Sequence, residues 1–208
     1  EALEQLAMNH RCGNMVKLSL YLSGQSIDDL EMLKLLQEGI EHHSLLPSDI
    51  LLEITESCIM NNAPETIDHL HQLRDLGVKL AIDDFGKGYS SLNYLRQIPA
   101  TELKVDREFV RAIAVDEKDK HIVKTAVELA SAFDMQSTAE GVDSLEVLDK
   151  LAELHCDVVQ GFFIARPMTA EALERWFRSP ALSRLERSIA SRHKRTSGHK
   201  LGHLEAKR

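Results

Sequence analysis

The amino-acid sequence predicts an α/β fold, a partial TIM-like (β/α) barrel of about six βα units, and three observations carry that prediction. Six short apolar or alternating runs recur along the chain, separated by segments of helical periodicity. No hairpin dipeptide lies between neighbouring runs, so the strands are parallel and joined by right-handed crossovers. Acidic or polar residues stand at or just after the C-terminal ends of the runs: Glu53, Asp83, Asp106, Glu140 and Gln160. A barrel brings these ends to one mouth, whereas an open sheet strings them along more than about 20 Å.

Taken in order, Val16–Leu22 alternates apolar and polar residues and reads as the first strand. Asp28-Asp29-Leu30 opens a helix with apolar residues at Leu30, Leu33, Leu36 and Ile40. Pro47-Ser48-Asp49 then leads into a buried strand at Ile50–Ile54. A helix from about Pro64 to Leu76 stops at Gly77, which suits a left-handed cap, and Val78–Ile82 is the third strand. A helix around Ser90–Arg96, a strand at Glu102–Val105, a helix at about Lys118–Phe133 and a strand at Met135–Ala139 follow. Leu145–Leu154 reads as helix, Asp157–Phe163 as the sixth strand and Ala170–Phe177 as the last helix. A full eight-unit barrel takes about 250 residues. Six units ending near residue 178, with Glu1–His10 reading as a helix that follows no strand, predict a barrel domain over residues 1–178 lacking its N-terminal strands. Residues 179–208 read as a basic, disordered tail.

With 208 residues, 43% hydrophobic and 28% charged, the chain has the profile of a globular domain with a sizeable core. No apolar run nears the ~18 residues of a membrane-crossing helix. The charge is split: residues 179–208 hold 8 Lys/Arg against 2 acids, and the remainder holds 17 against 31. An acidic body argues against direct DNA or RNA binding, which draws its affinity from phosphate contacts. It suits carboxylates that hold divalent cations. Cys12, Cys58 and Cys156 lack metal or redox spacing and read as buried thiols in a reducing, cytoplasmic setting.

The most informative run is Asp83-Asp84-Phe85-Gly86-Lys87-Gly88-Tyr89-Ser90-Ser91. Adjacent carboxylates at a strand end repel unless a cation lies between them, although an Asp-Asp turn with a cap has the same sequence. Glu53 and Glu56 lie three apart at a strand exit, where one can ligate and the other brace a loop, or Thr55 or Ser57 caps a helix and Glu56 is solvated. Lys104 stands inside an apolar strand, so it is either functional or paired with one of the acids. Gln160-Gly161 interrupts the final strand, as close approach of a ligand would require.

Five ordered motifs resemble the EAL domain of bacterial cyclic-di-GMP signalling. They are Leu51-Leu52-Glu53-Ile54-Thr55-Glu56-Ser57, the Asp83–Leu92 run, Leu103-Lys104-Val105-Asp106-Arg107, Ala139-Glu140-Gly141-Val142, and Val159-Gln160-Gly161-Phe162 with Arg166-Pro167. The resemblance covers about Glu1 to Phe177 and implies that the six units are the last six of the EAL barrel. Active members hydrolyse cyclic-di-GMP to pGpG with Mg²⁺ or Mn²⁺, which lower the pKa of a water and steady the leaving oxygen. By position Glu53, Asp83, Asp84 and Glu140 look like metal ligands. Lys104 looks like the catalytic lysine that orients or deprotonates the water, and Gln160 like the glutamine at the metal and water site. Glu56 looks like the glutamate that brackets the loop 84–91, and Asp143 stands where a glutamate is usual in the same loop-bracing set.

The departures from that family pattern are specific. Glu1-Ala2-Leu3 matches the helix before the Asn-bearing strand, and the naming Glu-Ala-Leu strand would lie upstream. The asparagine of that strand is Tyr21, a poor ligand for a hard cation. Asp143 is one methylene short, and Lys87 replaces a loop threonine, adding a cation beside the acids. The resulting expectation is a degenerate module, with a weak or partial Mg²⁺ or Mn²⁺ site, that binds cyclic-di-GMP or a protein partner with little or no hydrolysis. Two alternatives stand beside it: a metal-dependent phosphodiesterase when complete, and a remnant that does not fold alone. The expected partners are cyclic-di-GMP and either a second copy or an upstream signalling domain.

Overall fold

The structure, a computed structural model, describes residues 1–27, 29–60, 64–87, 92–180 and 182–183. Six parallel strands form one sheet in which each pairs with its neighbours in sequence. They are β1 (Leu18–Tyr21), β2 (Ile50–Thr55), β3 (Lys79–Phe85), β4 (Glu102–Val105), β5 (Gln136–Ala139) and β6 (Val158–Val159). The helices are α1 (Ala2–Arg11), α2 (Gly24–Ile27), α3 (Leu30–His43), α4 (Glu56–Met60), α5 (Pro64–Asp75), α6 (Leu92–Leu95), α7 (Arg107–Ala112), α8 (Glu117–Ala132), α9 (Leu145–Glu153) and α10 (Ala170–Phe177). This is the α/β partial barrel that the strand–helix alternation predicts. Side-chain caps set the helix starts: Asp29, Asp106, Asp116, Ser144 and Thr169 each accept from a backbone N–H of the first turn. Each such cap contributes about 1 kcal/mol.

Strand register divides the sheet into two chemical faces. Leu20 pairs with Leu52, Leu52 with Leu80, and Ile82 with Leu103. That face is buried with Leu36 and Ile40 of α3, Leu70 and Leu73 of α5, Val123 and Val127 of α8, and Leu148 and Leu151 of α9 in one core. Side chains alternate along a strand. The opposite face therefore carries Ser19 and Tyr21 of β1, Glu53 of β2, Ala81 and Asp83 of β3, Glu102 and Lys104 of β4, and Thr138 of β5.

Several boundaries differ from the sequence expectation. β3 continues three residues past Ile82, with its register shifting between Ile82 and Phe85 and Asp84 in the left-handed region at φ 56°. β6 ends at Val159 rather than running to Phe163. Beyond it the Val142 N–H donates to the Gln160 carbonyl at 3.0 Å, and a Cβ on Gly161 would lie 2.1 Å from the Val142 oxygen. The chain is thus turned onto the segment after Glu140. α4 and α7 lie in stretches read as strand exits, because their starts are set by Thr55 and Asp106, which accept from the N–H of Cys58 and Glu108. Of the three cysteines only Cys156 is buried; Cys58 is half-buried and Cys12 exposed. The expectations for Asp28, the Leu30 side chain, Gly88–Ser91 and residues 184–208 fall outside the described residues. No described helix is long and apolar enough to cross a membrane.

Candidate active site

The polar face of the sheet ends in a charge cluster built around Lys104. Its Nζ lies 2.8 Å from Glu53 Oε1, 3.3 Å from Asp83 Oδ1 and 2.6 Å from Glu140 Oε1. β2, β3 and β4 supply Glu53, Asp83 and Lys104, and Glu140 follows β5 directly. The lysine side chain is only 2% exposed, and an unpaired ammonium at that depth would be prohibitively costly. Burial alone would lower its pKa, but the fields of Glu53, Glu140 and Asp83 together outweigh burial and raise it. One ammonium cannot neutralise three carboxylates. Burial therefore raises Asp83 and Glu140 above the usual carboxylate range, against the opposing pull of Lys104.

A second cluster lies beside the first. Lys87 Nζ is 3.0 Å from Asp84 Oδ1 and 2.8 Å from Asp106 Oδ2. Hydrogen bonds from Lys87 to Asp106 and Asp84 raise the ammonium. Burial pushes the Asp106 carboxyl up, but its bonds to Lys87 and to the Glu108 N–H prevail and lower it. The adjacent Asp83 and Asp84 thus serve different ammonium groups. The backbone geometry at Asp84 accompanies that divergence.

The other expected site residues fall in different places. Glu56 is buried, and its Oε2 accepts from the Gly86 N–H at 3.2 Å. Asp143 is half-exposed and faces Arg111 at 3.7 Å. The Gln160 side chain is exposed, while its backbone N–H donates to the Ala139 carbonyl at 2.9 Å beside Glu140. Tyr21 pairs in register with Glu53 and is 61% exposed. Ser19, a residue that motif reading passes over, donates to Glu53 Oε1 and helps fix that carboxylate. Its signal was available, because Lys17, Ser19 and Tyr21 are the polar alternates of an otherwise apolar run.

The donor chemistry suits Mg²⁺ or Mn²⁺, since the groups are hard carboxylate oxygens and Asp83 Oδ1 is buried without a well-aligned hydrogen bond. The arrangement does not. The Lys104 ammonium lies among Glu53, Asp83 and Glu140, and Lys87 lies on Asp84. Among the described residues no group of three or more His, Cys, Asp or Glu side chains is gathered so as to hold a metal ion. A dication bound at Glu53 Oε1, Asp83 Oδ1, Glu140 Oε1 or Asp84 Oδ1 would compete with an ammonium already there.

The EAL domain family model matches residues 1–167. Cyclic di-GMP phosphodiesterase NbdA of Pseudomonas aeruginosa is 41% identical over 143 residues, covering 69% of this chain and 18% of that protein. The phosphodiesterase PaMucR, solved as a c-di-GMP complex, superposes with a TM-score of 0.78 at 38% identity, covering 83% of this chain and 70% of the other. The manganese/cy-diGMP complex of Klebsiella pneumoniae BlrP1 superposes at 0.75 with 29% identity, covering 81% and 43%. The chain spans 18% and 20% of the first curated relatives it matches. Five motifs in order, the parallel partial barrel and the match over most of its length establish that this chain belongs to the EAL domain family.

Proposed function

We propose that this EAL domain binds cyclic-di-GMP at the mouth formed by Glu53, Asp83, Asp84, Lys104, Glu140 and Gln160, and hydrolyses it little or not at all. The observation that carries this reading is Tyr21, paired with Glu53 at the strand end. A phenol there offers a hard cation a poor neutral ligand. The state of Lys104 supports the same reading. Three carboxylates hold its ammonium above the usual value, against the opposing effect of burial. In this arrangement it acts as a fixed positive charge that holds Glu53, Asp83 and Glu140 together at the mouth. Glu56 and Ser19 position groups of the mouth through Gly86 and Glu53. The EAL-like domain occupies residues 1–178 of this chain, and its partner in signalling is an upstream domain or a second copy.

Equilibrium dialysis of the chain against labelled cyclic-di-GMP with Mn²⁺, followed by chromatography of the ligand, tests the proposal. The expected result is retained, intact ligand, with conversion to pGpG rising in the Tyr21→Asn variant. Rapid conversion by the unaltered chain overturns the low-hydrolysis reading, and failure to retain ligand overturns the binding reading.

A further inference from the structure

We propose that Lys87 is a built-in counter-ion that occupies Asp84 and keeps divalent cations off that carboxylate. The inference takes Asp84 as part of the mouth described above, but it does not depend on dinucleotide binding. Asp84 is the penultimate residue of β3 with its side chain 40% exposed, so dissolved ions reach it. Lys87 returns to it twice, through its backbone N–H to the Asp84 carbonyl at 3.4 Å and through Nζ to Oδ1 at 3.0 Å.

The second partner of the ammonium makes this hold persistent. Asp106 is 3% exposed at its side chain, lies between β4 and α7, and is anchored by its capping bond from the Glu108 N–H at 2.8 Å. Lys87 is therefore clamped between a fixed carboxylate and an accessible one. A dication bonded to Asp84 would take the oxygen that the ammonium now holds, and two cations repel at that separation. Displaced from Asp84, the ammonium is still retained by Asp106 and stays within reach to compete. Selectivity between an internal and an external cation is thereby set by one side chain in the loop after β3.

The test measures Mn²⁺ binding alone, without dinucleotide, from the loss of the free-ion electron paramagnetic resonance signal. Lys87→Thr and Lys87→Met remove the ammonium, the latter keeping similar length. Lys124→Thr on α8 makes the same charge change at an exposed pair with Glu128. Circular dichroism verifies folding of each variant. Both Lys87 variants are expected to bind Mn²⁺ about fivefold more tightly than the unaltered chain. Lys124→Thr is expected to leave affinity unchanged, and adding Asp84→Asn to Lys87→Thr to abolish the gain. Unchanged affinity in whichever Lys87 variant folds overturns the proposal, as does an equal gain in Lys124→Thr. Because ligand retention is read separately, these outcomes are distinct from failure of the dinucleotide reading.

Discussion

Lys104 and Lys87 both bridge acids brought together by the sheet at similar distances, yet one side chain is 2% exposed and the other 41%. Around Lys104 three carboxylates share one cation with little water, so every charge there depends on the others. Around Lys87 two carboxylates share one cation, and solvent screens the exposed half of the arrangement. Contact distance alone therefore does not rank these ion pairs. The buried cluster determines whether the strand ends can lie together, and the exposed one determines which cation reaches them.

The largest effect belongs to Lys104→Met, which leaves three acids facing one another without their cation. It is expected to cost about 3–5 kcal/mol in urea unfolding at neutral pH. A subtler effect follows from Asp83 and Glu140, whose folded-state pKa values are raised above 3.8 and 4.5. The folded protein binds their protons at higher pH than the unfolded chain does. Their contribution to stability therefore grows as pH falls through the raised values, and levels off below the ordinary ones. Asp106, lowered below 3.8, contributes in the opposite sense: its stabilisation is present above 3.8 and is lost as pH falls through its folded value. Glu140→Gln is expected to flatten the mildly acidic gain in a pH series of urea unfolding, leaving the loss at lower pH in place. Smallest of all, Lys87→Thr is expected to lower the unfolding free energy at neutral pH by about 1 kcal/mol, because the buried Asp106 loses its ammonium but keeps the Glu108 N–H. Together with its effect on Mn²⁺ binding, that result would separate ion access from stability.

The elements with strong periodicity were legible in the sequence. β4 begins and ends where its alternating run does, and α10 matches its amphipathic segment. The polar interruptions were harder to read, since a strand-end acid and a helix cap use the same residue types. Asp106 is both: it leaves β4, caps α7 and binds Lys87. Asp83 and Asp84 extend β3 because local left-handed geometry lets consecutive carboxylates diverge, which no periodicity reveals. The gathering of Glu53, Asp83, Lys104 and Glu140 was legible because parallel strands present their C-terminal ends together. Two details needed coordinates: that Lys104 pairs with three acids at once rather than with one, and the bond from Ser19 to Glu53. Both depend on side-chain reach across strands distant in sequence.

The sheet order β1 to β6 is also an order of synthesis. Each strand pairs with the one synthesised before it, so the members of the charge cluster become available in chain order. Glu53 and Asp83 arrive first, on β2 and β3, and are joined by the cation on β4 before Glu140 follows β5. Lys104 is thus synthesised before Glu140, the last of the three carboxylates it pairs with.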